Sequence, residues 1–213
     1  MTGSHDFLAP AGREAIYKAP SAGYFPRAKP STPTTPTEDN VMEFSDLVQE
    51  RHSVRKFTRE LVSLRDIDQI LEAARVAPSA DNRQPVRILV IRKPEGMERL
   101  KECTQYTFNA PMAIIVCCNR SEAWERVLDE QDTGFIDAAI VGTHIMLAVH
   151  DLGLGATWVA DFHPGKVGQA FNLPGGVEPV AVFPIGHPAP DSRPSPQHDK
   201  RKRIKELVSY ETF

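Results

Sequence analysis

Apolar residues along the chain follow two different spacings. From Phe44 to Ala74 they recur every three or four positions, which is the repeat of amphipathic helices. This spacing predicts a short helix that begins at Phe44, and a second helix with Ser63 as its N-cap and Asp66 in the capping-box position. The second helix should stop before Pro78, because the residue preceding a proline disfavours helical geometry. Three further helices are predicted at 94–105, 133–150 and 164–171.

Short apolar runs between these helices predict four strands, at 86–91, 112–118, 156–159 and 179–185. The run 112–118 is unbroken, which is typical of a strand that is buried on both faces. Pro184 cannot donate to a sheet ladder, so we expect it at the end of its strand or at a sheet edge. The alternation of helices and strands predicts an α/β or α+β domain with a central sheet.

The predicted helix at 133–150 is apolar around most of its surface. Such a helix is buried either in the centre of a domain or between two subunits. Periodicity alone does not distinguish an ordinary core helix from a dimer-core helix.

Residues 1–40 differ in composition from the rest, with repeated Pro, Ser and Thr. A segment of this kind has little apolar surface to bury and cannot hold a helix or a central strand. We therefore expect an arm, linker or leader at 1–40 and a folded domain at 41–213. The composition favours disorder over an arm that lies along the domain or along a partner subunit.

Charge and cysteine content narrow the function classes. The formal net charge is −3, which argues against a general nucleic-acid-binding protein. Basic residues gather at 51–56 and 200–205 instead, a pattern that suits a small anionic ligand. The three cysteines show no zinc or Cys-x-x-Cys spacing, so buried thiols in a reducing compartment are expected. No signal-peptide pattern or membrane-length apolar run is present in the sequence, and we expect a cytosolic protein.

The segment Arg51–Phe57 is the main candidate for anion binding. In an extended conformation Arg51, Ser53 and Arg55 share one face, while His52 and Val54 share the other. Two guanidinium groups with a hydroxyl between them suit a phosphate, because arginine binds phosphate in a bidentate manner.

Other catalytic patterns are missing from the sequence. There is no Gly-x-Gly-x-x-Gly after a first strand, no P-loop and no Gly-x-Ser-x-Gly. His144 and His150 are six residues apart and do not share a helix face, and His163 and His187 have no partnered ligand pattern. We expect structural roles for these histidines, no bound metal, and neither hydrolase nor metalloenzyme activity.

Four segments in chain order carry a more specific signal: Arg51–Phe57, Ala77–Pro85, Asp151–Trp158 and Ile185–Pro188, the last followed by Arg201 and Arg203. They resemble the Arg-x-Ser-x-Arg/Lys-x-Phe, Ala-Pro-Ser-x-x-Asn-x-Gln-Pro, Leu-Gly-Leu-Gly and Ile-Gly-x-Pro motifs of the nitroreductase family of FMN oxidoreductases. The resemblance implies an α+β fold with a central, mostly antiparallel sheet flanked by helices. It also implies an intertwined homodimer with FMN at the subunit interface, exchanged C-terminal arms and a dimer-core helix at 133–150.

The resemblance also assigns residues to the FMN. Arg51, Ser53 and a C-terminal arginine, Arg201 before Arg203, would hold the phosphate and ribityl end. His52 would be a marginal contact. Arg55 would lie beside the N1–C2=O edge, where a fixed cation stabilises reduced flavin and raises the potential.

The isoalloxazine ring would be held by two further segments. Asn82 would hydrogen-bond the pyrimidine edge, with Gln84 in the same loop, and the other subunit would line the ring with Pro78, Ser79 and Ala80. Backbone N–H groups of the strand at 159–161 would face flavin N5 and O4; these residues are Val159, Ala160 and Asp161. Phe108 and Trp124 are candidate aromatic residues of the substrate pocket.

The implied activity is an FMN-dependent oxidoreductase with a ping-pong mechanism. NADH or NADPH would deliver hydride to flavin N5, and a nitroaromatic, quinone or similar small molecule would then be reduced in the same position. No catalytic side chain is needed, because the flavin carries the chemistry. Two alternatives remain: a specialised relative that cleaves flavin or oxidises azolines, and a flavin-binding redox sensor or interaction protein without rapid turnover.

Overall fold

The computed structural model describes residues 43–213, so the predicted arm at 1–40 lies outside the described residues. Five α-helices and six strands are present in this range. The helices are α1 Phe44–Glu50, α2 Leu64–Arg75, α3 Pro94–Lys101, α4 Gly134–Asp151 and α5 Pro164–Phe171. The strands are β1 Val86–Ile91, β2 Met112–Asn119, β3 Glu125–Arg126, β4 Gln131–Asp132, β5 Gly155–Ala156 and β6 Val177–Gly186.

The central sheet has four strands in the order β1-β2-β6-β5, and all of its neighbouring pairs are antiparallel. Strands β3 and β4 form a separate hairpin between β2 and α4. Helices cover both faces of the sheet. The prediction of an α+β fold with a mostly antiparallel sheet is confirmed.

Strand β2 is buried on both faces, as its unbroken apolar sequence predicted. Alternate side chains of a strand point to opposite faces, and here they join two separate apolar clusters. Ile114 and Cys118 belong to the cluster under α2 and α4, whereas Ile115 and Cys117 belong to the cluster under α3 and α5.

Two helix ends can be compared with their predictions. Ser63 caps α2 as predicted, since its Oγ accepts a hydrogen bond from the Asp66 N–H at 3.1 Å. Helix α3 ends at Lys101, four residues before the predicted Gln105. Thr104 accounts for the early end, because its buried side chain donates to the Asp161 carbonyl at 2.7 Å instead of facing along a helix.

Pro184 lies inside the central strand β6, which corrects the expectation that it would be at a strand end or a sheet edge. The Ala156–Ile185 pair and the isolated Val159–Val182 bridge share one register, so Thr157 falls opposite Pro184. Proline has no N–H to donate there. The missing donor explains why the predicted strand 156–159 forms only as Gly155–Ala156 and a bridge at Val159.

Helix α4 packs one face against the sheet through a close approach at Gly142. A Cβ at this position would meet Trp158 Cζ3 at 2.6 Å and Phe183 Cζ at 2.9 Å. The two aromatic rings meet edge to face, with centroids 4.9 Å apart. Gly142 therefore lets the helix backbone lie directly on this aromatic pair.

The opposite face of α4 is apolar but uncovered within one chain. Ile136, Ile140, Thr143 and Leu147 follow the spacing of one helix face, and all are exposed or half-buried, with Ile136 at 60% exposure. Burial around the whole helix, as the dimer-core prediction requires, is thus not achieved by a single chain.

Candidate functional site

The segment Arg51–Thr58 extends the sheet beyond β5. The Val54 N–H donates to the Ala156 carbonyl at 3.0 Å, next to a parallel bridge between Ser53 and Ala156. Further on, the Thr58 N–H donates to the His187 carbonyl at 2.9 Å. The segment is extended, as predicted, and it is fixed at both ends by main-chain hydrogen bonds.

Gly155 allows this segment to lie close to the sheet. A Cβ at Gly155 would come within 2.7–2.8 Å of three side-chain carbon atoms of Val54, which is almost fully buried. With Val54 held inward, Arg55 next to it is exposed, in agreement with the predicted alternation. The Leu-Gly-Leu-Gly and Arg-x-Ser-x-Arg segments are thus two sides of one contact.

The charge of Arg201 acts on Arg51. Partial burial lowers the pKa of Arg51 from its ordinary value, and the charge of Arg201 lowers it further. Within residues 43–213 neither guanidinium forms an ion pair with a carboxylate. Two cations that repel each other and have no ion-paired carboxylate make a site that favours an anion.

Arg203 is engaged elsewhere. Its Nε lies 3.3 Å from Glu206 Oε2, and its own N–H donates to the same carboxylate at 2.9 Å. Of the two C-terminal arginines considered from the sequence, Arg201 is therefore the better candidate, and its charge acts on Arg51.

Histidines form a cluster that the sequence reasoning missed. His52 lies between His150 and His198, with ring centroids 6.2 Å and 5.9 Å away. His150 was expected to have an ordinary structural role and His52 to be marginal. The three rings come from distant parts of the chain, so spacing gave no signal of their contact.

The loop after α2 is held by a buried carboxylate. The Ala80 N–H donates to Asp137 Oδ1 at 2.9 Å, and the Gln84 N–H donates to Ser79 Oγ at 2.9 Å. Asp81, Asn82 and Gln84 have positive φ values near 50°, a conformation that costs free energy in non-glycine residues. The side-chain hydrogen bonds stabilise this strained turn.

Asp137 itself is 1% exposed and lies in the first turn of α4. Its second oxygen accepts from Thr133 Oγ1 at 3.1 Å. A carboxylate near a helix N-terminus is also favoured by the helix dipole. Sequence analysis did not single out Asp137; an acidic residue inside an otherwise apolar helix was the available signal.

The candidate residues therefore form two groups at opposite ends of α4. Arg51 and the histidine cluster adjoin His150 at its C-terminal end, and the Ser79 loop adjoins Asp137 near its N-terminal end. At 1.5 Å rise per residue, the two ends are about 20 Å apart.

The segment 159–161 agrees only in part with its predicted role as a flavin-facing donor. The Val159 N–H already donates to the Val182 carbonyl at 2.9 Å, and Val159 is buried. Ala160 and Asp161 are exposed. A ligand on this segment would therefore have to use the N–H groups of Ala160 and Asp161 rather than that of Val159.

Phe108 and Trp124 are not brought together within one chain. Phe108 packs against the cluster under α3 and α5, beside Tyr106. Trp124 lies at the base of the β3–β4 hairpin, where its carbonyl accepts from the Thr133 N–H at 2.8 Å, directly before α4. A shared substrate pocket for these two aromatic residues is not formed by a single protomer.

Residues 43–213 contain neither a metal-binding cluster nor a membrane-spanning helix. No group of three or more His, Cys, Asp or Glu side chains in the described range is arranged to hold a metal ion. None of the helices from 43 to 213 has the length and apolar character needed to cross a membrane.

Comparison with known proteins agrees with the motif pattern. The sequence profile of the nitroreductase family matches residues 48–105 and 103–187. The chain belongs to the nitroreductase family.

Relatives of known sequence or structure support this membership. A nitroreductase family protein of Clostridium difficile 630 is 35% identical, with a TM-score of 0.76 over 81% of this chain and 100% of that chain. A Methanothermobacter thermautotrophicus protein, provisionally named NADH dehydrogenase/NAD(P)H nitroreductase, is 35% identical over 157 residues, covering 70% of this chain and 78% of the relative. A Bacillus subtilis protein named as an NAD(P)H FMN reductase is 27% identical over 166 residues, covering 70% and 67%.

The role of Asp137 can be tested with two substitutions. Asp137→Ala removes the acceptor for the Ala80 N–H, and we expect it to lower the free energy of unfolding by about 1–3 kcal/mol. Trypsin should also cleave more rapidly after Arg83. Asp137→Asn keeps an acceptor oxygen and should stay close to the unsubstituted protein in both urea unfolding and proteolysis. An Asp137→Ala variant that unfolds and is cleaved like the unsubstituted protein would mean that Asp137 does not anchor the loop.

Proposed function

We propose that this nitroreductase family member is an FMN-dependent oxidoreductase that uses NADH or NADPH to reduce a nitroaromatic, a quinone or a similar small acceptor. The proposal is carried by Arg51 and Ser53 on one extended segment, with the charge of Arg201 acting on Arg51. Among residues 43–213 neither arginine forms an ion pair with a carboxylate. The name of the Bacillus subtilis relative supports FMN and NAD(P)H as the cofactor and the electron donor.

The residues present fit an FMN phosphate. Arg51 and Arg201 supply fixed positive charge, and Ser53 supplies a hydroxyl on the same extended segment. Charge-assisted hydrogen bonds from arginine to phosphate are among the strongest in proteins. When bound, FMN supplies the electron-transfer chemistry, accepting electrons from the nicotinamide and passing them to the acceptor.

The protein's own contribution is to bind, orient and tune the flavin. Arg55 is exposed, and its nearest polar contact among the described residues is the Ser53 carbonyl, 3.5 Å from Nη1. A free cation at this position would stabilise negative charge on the reduced ring. The N–H groups of Ala160 and Asp161 would orient the ring edge, and no side chain has to transfer a proton.

The complete site requires a second copy of the chain. The Ser79 loop lies about 20 Å along α4 from Arg51, which supports the assignment of Pro78, Ser79 and Ala80 to the partner's flavin. The uncovered apolar face of α4 supports a homodimer, because burying such a face is favourable. Ile204, Leu207 and Tyr210 of the C-terminal segment are also exposed, as expected of arms that exchange between protomers.

The first experiment is an absorption spectrum of the purified protein, taken before and after anaerobic addition of NADPH or NADH. We expect flavin bands that bleach with at least one nucleotide and return when a quinone or nitroaromatic is added. A yellow protein that does not bleach would favour a non-turnover flavoprotein or a specialised relative. A colourless protein that FMN cannot reconstitute would rule out the proposal.

The phosphate assignment predicts a difference between two arginines. Arg51→Ala should weaken FMN binding by about 1.5–3 kcal/mol, or roughly 10- to 150-fold, because one charge-assisted contact is lost. Arg203→Ala removes a guanidinium paired with Glu206 and should leave FMN binding within about twofold. The FMN dissociation constant, measured by quenching of flavin fluorescence, checks both values. An unchanged constant for Arg51→Ala would refute the assignment.

The α4 face predicts the oligomeric state. Ile136→Glu places a charge in the proposed interface and should convert the dimer to monomer in light scattering after gel filtration. Leu64→Glu is a matched control on α2, since Leu64 and Ile136 are 61% and 60% exposed. A dimer that survives Ile136→Glu would exclude this face as the interface.

A further inference from the structure

Three imidazole rings meet, and two of them belong to residues that lie close to Arg51 or Arg201 in the sequence. His52 follows Arg51 directly, His150 lies in the last turn of α4, and His198 comes three residues before Arg201. The ring of His52 contacts both others edge to face, at centroid distances of 6.2 Å and 5.9 Å. We refer to these three residues as the imidazole cluster.

Two rings of the cluster bind the end of α1. His198 Nε2 lies 3.1 Å from the Gln49 carbonyl, and His52 Nδ1 lies 3.1 Å from the Glu50 carbonyl. A carbonyl oxygen only accepts, so each of these nitrogens carries a proton. The His198 contact ties the C-terminal segment, which carries Arg201, to the helix that ends just before Arg51.

The third ring, that of His150, has a different environment. His150 Nε2 is buried and has no hydrogen-bond partner among residues 43–213. Burial is the largest cause that lowers the pKa of His150, and His52 and Arg51 lower it further, while Glu50 and Asp151 act in the opposite direction. Without an added negative charge, the neutral form of this ring is favoured near neutral pH.

Other charged groups around the cluster have mixed signs. Glu50 and Arg51 approach from the end of α1, Asp151 follows His150 at the end of α4, and the C-terminal segment contributes Arg201. His198 is followed in the sequence by Asp199 and Lys200. An anion bound at Arg51 and Arg201 would add negative charge to this set.

We propose that the imidazole cluster is part of the anion site and takes up a proton from solvent when a phosphate monoester binds beside Arg51 and Arg201. This inference rests on the proposed function, in which that monoester is the FMN phosphate. A phosphate dianion offsets the repulsion that His150 feels from Arg51, so protonation of His150 becomes favourable in the complex. His198 acts as a positioning residue, because it holds the segment that carries Arg201.

Proton uptake on binding sets the direction in which FMN affinity changes with pH. A ligand that brings a proton with it binds more tightly as the pH falls, by up to about tenfold per pH unit for one proton. Titration of the phosphate itself works in the other direction, since its second pKa is about 6 and the dianion binds arginine better. Tighter binding at lower pH would therefore have to come from the protein.

The test measures dissociation constants of FMN and riboflavin on the full chain freed of flavin, from about pH 6.5 to about pH 8.5. We expect the FMN constant to fall at least about threefold as the pH falls across this range, and the riboflavin constant to stay level. His150→Gln should abolish the slope for FMN. His144→Gln is the matched control on the same helix, because His144 Nδ1 bonds its own helix at the Ile140 carbonyl, and it should keep the slope.

His198→Ala should weaken FMN binding at every pH in this range, since the C-terminal segment loses its side-chain contact with the Gln49 carbonyl. A second readout needs no substitution: calorimetric titration with FMN in two buffers of different ionisation enthalpy should show net proton uptake at about pH 7.5.

A level FMN profile, a riboflavin slope equal to that of FMN, or a full slope in His150→Gln would each overturn the inference while leaving FMN binding established. Absence of FMN binding at every pH would instead remove the proposed function, and this inference with it.

Discussion

Strand β2 has no face that can meet water, and the placement of the other elements follows from covering it. Its two sets of side chains require one helical layer on each side, which α2 with α4 and α3 with α5 provide. Its neighbours β1 and β6 saturate its main-chain groups. The candidate anion site then forms where this rigid sheet runs out, beyond the short strand β5. Main-chain hydrogen bonds to the sheet edge position the Arg51–Thr58 part of this site.

Elements that depend on nearby residues were predictable from the sequence. The N-cap at Ser63 depends only on the nearby Asp66. The burial of the strand at 112–118 follows from its own apolar composition. The predicted end of α3 was wrong, because the observed end depends on a hydrogen bond from Thr104 to Asp161, which is distant in the sequence. The break in β5 was missed for a similar reason: it is caused by Pro184 on the neighbouring strand, which is remote in sequence.

The candidate site shows the same division. The shared face of Arg51 and Ser53 follows from local alternation, whereas the preference for Arg201 over Arg203 as a candidate depends on Glu206, a partner of Arg203 that only the structure shows. The histidines could not be grouped from spacing, because their three positions converge through tertiary packing alone. The role of Asp137 was predictable only in part. Its burial could be suspected from the surrounding apolar helix, but its loop partner could not.

The reactivity of the three cysteines depends on local opening of the domain. All three are free and buried, and burial raises the pKa of Cys117 to about 12. Since only a thiolate reacts readily, each thiol stays inert until its surroundings open. Cys118 faces the α2–α4 layer, Cys117 faces the α3–α5 layer, and Cys103 lies just after α3. The order in which a thiol reagent labels them would therefore report which layer lifts from the sheet first.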